Sequence, residues 1–399
     1  MTVSVNQEAA LNPYRWVLHV LVILYYTMGF AVRFAWPPLI PVASADLGIS
    51  MSSAGTYMSA FYIGYVLIHI PGGMLGDRFG VRMVIAAALV IEAIGTFGVG
   101  IAPNFAVGFA FRVLTGLGAG AIFSACVRYV SSLFPPKEVG LAFGLMMMAP
   151  AGVGVIIPNI MMPWLTGIFD WRGAFQVISV LVLLMGVVAF LVVRDTPSKA
   201  SAGMGFMQTL MAVLRKKNLV FLALAGFWLM WVMVCFVSWA NTYIKGLGFT
   251  LGDASMVMTV YGITGIIASP LGGVWAARVK SPKMFFALLF LLLAPSCWLF
   301  GQSESLVMLS VFAGVIGFLL GLANPILPLL TSLFAGKGLQ ATAGGVTGCI
   351  FQTGAIVGPW IVGMSVDATG SFGVAWILLA AAALLGILFL IPMGKPEQQ

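Results

Sequence analysis

The chain reads as an all-α integral membrane protein with twelve transmembrane helices arranged as two related six-helix halves. Three observations predict this: a series of long apolar runs, almost no charge inside them, and landmarks that recur 200 residues apart (247 − 47 = 200). Of 399 residues, 61% are hydrophobic and only 8% are charged, and the mean hydropathy is +1.09. A soluble domain of this size needs a polar exterior that so few charges cannot supply. A helix crossing the hydrocarbon core needs roughly 20 mostly apolar residues. Lipid admits only helices or closed barrels, and runs without polar alternation are not barrel strands.

Hydropathy places spans at about 16–38, 55–75, 83–102, 106–128, 139–163 and 173–193. Six more follow at about 219–242, 253–275, 284–300, 306–334, 342–364 and 373–392. An even number of crossings puts both termini on one side. Fifteen of the 19 Lys and Arg residues, from Arg15 to Lys395, fall on that side, and the other face keeps Arg172 and Lys245. The positive-inside rule therefore makes the termini cytoplasmic, in a multi-pass protein of the cell's inner (plasma) membrane. The net charge of +8 reports this topology and implies no nucleic-acid partner. No cleavable signal peptide is evident, because the first run is long enough to span. Cys126, Cys235, Cys297 and Cys349 all fall within spans, which predicts free, buried thiols.

Leu47-Gly48-Ile49-Ser50 precedes the second span and Leu247-Gly248-Phe249-Thr250 the eighth, while Gly72-Gly73 and Gly272-Gly273 close those spans at the same spacing. Two landmarks with one offset indicate a duplicated unit. The division expected is an N-terminal bundle over 1–193, a basic, Ser/Gly-containing cytoplasmic linker over 194–218, and a C-terminal bundle over 219–399. Paired halves of this kind rock about a midplane site and expose it to each side in turn.

Beyond the second span lies Gly73-Met74-Leu75-Gly76-Asp77-Arg78-Phe79-Gly80-Val81-Arg82, and the fourth span carries Arg112 with Gly116, Gly118 and Gly120. These resemble two signatures of the major facilitator superfamily, and the resemblance extends along the whole chain. It implies that Asp77, Arg78 and Arg82 form a charge lock at the cytoplasmic ends of helices, a gating element that Arg112 joins. In the second half Ala277 stands where the aspartate would be, so a weaker lock is expected there. Arg33 ahead of Pro41 and Asp46-Leu47-Gly48, the run Ser59 to Tyr65, and Trp239-Ala240-Asn241-Thr242-Tyr243 are similar to the anion:cation symporter and organophosphate:organic-anion group. That group has an acidic residue before the first-helix arginine and a glutamate in the fourth-helix motif, where this chain has Val32 and Ala119. Both departures bear on cation coupling.

An ionisable side chain inside a span is a functional hypothesis in its own right. Arg33 shares a helical face with Tyr26, and no carboxylate in the first two spans would neutralise it, so an anionic substrate is the expected counter-charge. The competing reading is an arginine that snorkels or pairs with backbone carbonyls. Tyr62, Tyr65 and His69 stand on one face of the second span and offer hydrogen bonds and a titratable ring. Glu92 is the one carboxylate deep in a span; it reads either as a proton carrier or, on a third helix that the resemblance places at the periphery, as a packing group. Trp228, Trp231, Cys235 and Trp239 form a stripe, a cavity wall or simple packing. From the second half, Trp239, Asn241, Tyr261, Asn324 and Gln352 are candidate lining.

No nucleotide loop, metal-ligand cluster or nucleophile elbow appears, so no enzyme, metal or cofactor is expected. The function expected is secondary active or facilitative transport of a small organic anion (a carboxylate or sugar acid), with a proton or another ion as possible co-substrate and a monomer as the working unit. Efflux of a cationic or amphipathic compound, carriage of a nitrate-like inorganic anion, and a non-transporting sensor or lipid-handling protein are the alternatives.

Overall fold

The computed structural model describes residues 14–135, 138–147, 152–194, 210–211, 213–336 and 340–394, and the linker expected at 194–218 lies mostly outside them. Its α-helices are α1 (Tyr14–Arg33), α2 (Ile40–Leu47), α3 (Met51–Phe79), α4 (Val81–Gly100), α5 (Phe105–Leu133), α6 (Val139–Met146) and α7 (Gly154–Val192). After the linker come α8 (Lys217–Gly246), α9 (Leu251–Arg278), α10 (Pro282–Gly301), α11 (Leu306–Ala323), α12 (Ile326–Ala335), α13 (Gln340–Thr369) and α14 (Gly373–Leu390).

Several helices differ in length from the apolar runs, for local reasons. The first crossing is α1 plus α2, joined by a 3-10 turn at Pro37–Leu39. Straight, the 39 residues of α7 would run about 58 Å, nearly twice the hydrocarbon thickness. The helix instead breaks at Asp170, whose φ of 64° is left-handed. The Gly173 N–H then donates to Asp170 Oδ1 at 2.8 Å, so the aspartate caps a new helix. That break yields two crossings and twelve in all. The outer surface is apolar, with Trp164, Leu191 and Val307 all more than 60% exposed, as suits lipid.

The repeat is visible in backbone geometry. Gly48 (φ 60°) and Gly248 (φ 96°) both take left-handed turns that a side chain would strain. Two residues on, Ser50 caps α3 through the Ser53 N–H, and Thr250 caps α9 in a full capping box with Asp253. Helix packing repeats too. Gly116 on α5 lies against the Phe61 carbonyl and Gly120 against that of Tyr65; on α11, Gly317 meets Tyr261 and Gly321 meets Gly265 in the same way. Small residues let these helix backbones touch, which in lipid supplies the attraction that hydrophobicity does not. The thiols are free, with Cys126, Cys235 and Cys297 buried; Cys349 is only half-buried, a correction to the expectation.

Gly116→Leu should lower the melting temperature of the detergent-solubilised protein by several degrees, since overpacking costs about 1–3 kcal/mol. Gly144→Ala, where an added Cβ meets nothing within 4 Å, should leave it unchanged.

Candidate functional site

The site begins with two prolines. Pro37 has no N–H to donate to the carbonyl of Arg33, one helical turn earlier, so α1 ends there with unsatisfied oxygens. Arg112, fully buried on α5, supplies the missing donor at Arg33 and adds to two other carbonyls, that of Val32, which also accepts the Ala35 N–H at 3.3 Å, and that of Tyr57 on α3. Its Nη2 donates to Arg33 O at 3.2 Å, its Nη1 to Val32 O at 3.4 Å and its Nε to Tyr57 O at 3.3 Å. The break is braced further by Trp36, which stacks on Tyr57 and donates through Nε1 to Ala54 O at 2.9 Å. Backbone pairing, one of the two readings open for Arg33, thus falls to Arg112.

The Arg33 side chain is left for other work. It is 3% exposed, and its Cζ lies 4.3 Å from the Phe30 ring centre, 4.6 Å from Tyr65, 5.0 Å from Tyr62 and 5.2 Å from Phe61. Aromatic faces attract a desolvated cation but carry no net negative charge. Among the described residues no carboxylate lies within ion-pair distance of it, and its Nε has no hydrogen-bond partner. Beside it Tyr26, Gly29, Phe30, Tyr65, Ala119 and Ile122 enclose a cavity of about 10 Å³, room for roughly one water. His69 continues the cluster, stacked on Phe123 at 5.1 Å and tilted over Tyr65 at 5.3 Å.

Glu92 faces inward from α4, whose opposite face exposes Met83, Ile94 and Phe97. It is fully buried on α4, with Gly118 of α5 packed on its backbone, and a Cβ on Gly29 would lie 3.8 Å from its Oε1. Gly29 also lines the cavity beside Arg33, so carboxyl and guanidinium approach the same glycine from different sides. Neither Glu92 oxygen has a hydrogen-bond partner among the described residues.

The second half contributes unevenly. Tyr261 stacks on Phe236 at 5.3 Å and stands within electrostatic reach of Tyr62 across the seam. Trp231 and Cys235 pack against Gly358 of α13, so the stripe on α8 is helix packing there. Trp239 sits higher, against Gly55 of α3 and Phe372, away from Arg33. Asn241 is 1% exposed with both amide atoms unpartnered, Gln352 is half-buried, and Asn324 marks the break between α11 and α12. None of these three makes a contact with Arg33 in the structure.

Of the gating residues, the Asp77 side chain lies outside the described set. Arg78 lies over its neighbour Phe79, and Arg82 donates from Nε to Phe190 O at 2.6 Å, tying α4 to the end of α7 within one half. A closure that sequence reasoning missed lies on the face opposite the termini. Asp367, near the end of α13, accepts the Met51 and Ser52 N–H groups at 2.8 Å each and so caps α3 of the other half. Below it, Ser59 donates to Ile356 O, and Gly348 lies beside His69. From Met51 to His69 is about 27 Å of helix, so α3 and α13 close the seam through most of the bilayer depth. The only hint in the sequence was an aspartate at a span end.

Paired six-helix bundles with a guanidinium buried among first-half helices are the architecture of a polytopic secondary transporter. The sequence model of the Major Facilitator Superfamily matches residues 21–359 and 245–399, and the chain belongs to that superfamily of transporters, not to any class of enzyme. Its fold is similar to a bacterial homolog of the human lysosomal transporter Spinster, solved inward-facing and unoccupied, with a TM-score of 0.77 at 17% identity over 96% of this chain and 94% of that one. Among characterised relatives, a hexuronate transporter of Bacillus subtilis is 25% identical over 89% of each chain. A 4-hydroxybenzoate transporter of Pseudomonas aeruginosa is 24% identical over 88% of this chain and 86% of its own.

Asp367→Asn keeps the shape of the cap and removes its charge, worth about 0.3–1 kcal/mol at a helix N-terminus. A cysteine at Ser59, in a background lacking the native four, should then react faster with a membrane-impermeant maleimide added at the Asp367 face. An unchanged rate would show that the cap does not hold the seam.

Proposed function

We propose that the chain carries a small organic anion, a carboxylate or sugar acid, across the inner membrane by alternating access, with Arg33 as the anchor for the anionic group. The observation that carries this reading is a buried guanidinium surrounded by the rings of Phe30, Phe61, Tyr62 and Tyr65, with no carboxylate paired to it among the described residues. Burying an uncompensated charge is costly, and an incoming carboxylate offers the matching fork of acceptors. The named substrates of the relatives, hexuronate and 4-hydroxybenzoate, are both carboxylates and support the same reading. Tyr26, Tyr62 and Tyr65 complete the first-half wall, with Tyr261, Gln352 and the more distant Trp239, Asn241 and Asn324 as second-half candidates. The positive-inside distribution supports a cytoplasmic location for both termini, and one chain supplies both halves, which supports a monomer as the working unit.

Glu92 and His69 are the candidates for proton coupling. Val32 and Ala119 remove the carboxylates that related symporters place near the first-helix arginine, and Glu92 reaches the same neighbourhood from α4.

In proteoliposomes, Arg33→Gln should reduce uptake of the carboxylate at least about tenfold, which is about 1.4 kcal/mol of lost binding, while the melting temperature stays near wild type. Wild-type uptake by that variant would remove Arg33 from the site. Glu92→Gln should abolish stimulation by an inward proton gradient yet retain substrate counterflow. Gradient-driven uptake surviving in that variant would assign Glu92 to packing alone.

A further inference from the structure

We infer that the transported anion is a monoanion with a single carboxylate, and that the site selects against dianions of the same size and shape. The inference rests on the organic-anion reading above and narrows it through the charges around the seam.

Every ionisable group inside the spans can be followed. Arg112 is fully buried and gives four of its five N–H groups to the carbonyls of Val32, Arg33 and Tyr57 and to Met58 Sδ. His19, against Trp16 and Phe134, and Arg128, about 24 Å along α5 from Arg112, lie toward the termini's face. Arg33 is the remaining guanidinium at this depth, and no carboxylate pairs with it among the described residues. His69 lies in the same cluster between the Tyr65 and Phe123 rings, where a second positive charge would stand against Arg33. Glu92, the one other group near Arg33, subtracts positive charge when ionised and adds none.

The facing wall is neutral. The charges of the second-half helices lie near their ends: Lys217 and Lys245 on α8, Arg278 on α9, Lys283 on α10, Asp253 in its capping box with Thr250, and Asp367 on the Met51 and Ser52 N–H groups; the middles of these helices hold none. What that wall offers instead is Tyr261, Gln352 and aromatic carbon. A second carboxylate on a substrate anchored at Arg33 would therefore be desolvated against neutral donors with no cation to meet it, the costly arrangement for a charge at midplane depth. A hydroxyl, ring or methyl group at the same place carries no such penalty.

The test uses purified wild-type protein in proteoliposomes at pH 7.5, where the carboxylic acids are ionised, and measures inhibition of uptake of a radiolabelled monocarboxylate by matched pairs. The pairs are 4-hydroxybenzoate against terephthalate, glycerate against tartrate, and glucuronate against glucarate. The expected result is that, in whichever pair competes, the monoanion does so at a concentration at least about tenfold lower than the dianion. Equal or stronger competition by the dianion in that pair overturns the inference while leaving the organic-anion reading standing. If no acid in any pair competes or is taken up, both fail together, and the thermal response of the same protein to organic cations then identifies the replacement.

Discussion

The break in the first crossing, and the arginine that satisfies it, are what the rest of the site depends on. Two consecutive prolines leave carbonyl oxygens without donors deep in the membrane, where an unsatisfied backbone group costs several kcal/mol. Arg112 meets that need from a neighbouring helix, and three carbonyls in turn hold its charge. Because one arginine is committed to the backbone, the other is available. Arg33, the last residue before the break, projects into a cage of rings whose faces make its burial tolerable without cancelling its charge.

The two halves share their construction but differ in chemistry. Left-handed glycines, helix caps and glycine-mediated backbone contacts recur at one spacing, so the same scaffold is built twice. Charge does not recur. The first half holds Arg33, Glu92 and Arg112 within its spans, and the second presents a neutral wall. On the proposed reading, recognition of charge belongs to the first bundle, while the second shapes the remaining volume and moves against it. The cap from Asp367 to α3 joins the bundles at the face opposite the termini, where closure need only be modest in energy to be reversible.

Much of this was legible in the sequence. Hydropathy and the 200-residue offset give the crossings and the repeat, and scarcity of intramembrane charge singles out Arg33, Glu92 and Arg112. The pairing of Arg33 with Tyr26 on α1, and of Tyr62 with Tyr65 on α3, follows from helical spacing, because neighbours on one face stay neighbours. What spacing cannot convey is contact between helices. Phe30 and Phe61 were overlooked because an apolar ring in an apolar span carries no signal. The neighbours of Glu92 were not legible because Gly29 and Gly118, which pack on it, belong to other helices. The stripe on α8 was ambiguous because one periodicity serves both cavity walls and helix packing. Asp367 gained meaning only when α13 met α3.

The central claim is that the two arginines do different work, one binding the anion and the other holding the broken helix. The most direct measurement is thermal unfolding of wild type, Arg33→Gln and Arg112→Gln, each with and without a saturating carboxylate ligand, since ligand bound only to the native state raises its stability. The account predicts that Arg33→Gln melts near wild type but loses the ligand-induced rise, and that Arg112→Gln melts well below wild type without ligand. A ligand-induced rise preserved in Arg33→Gln, or a native melting temperature in Arg112→Gln, would contradict it.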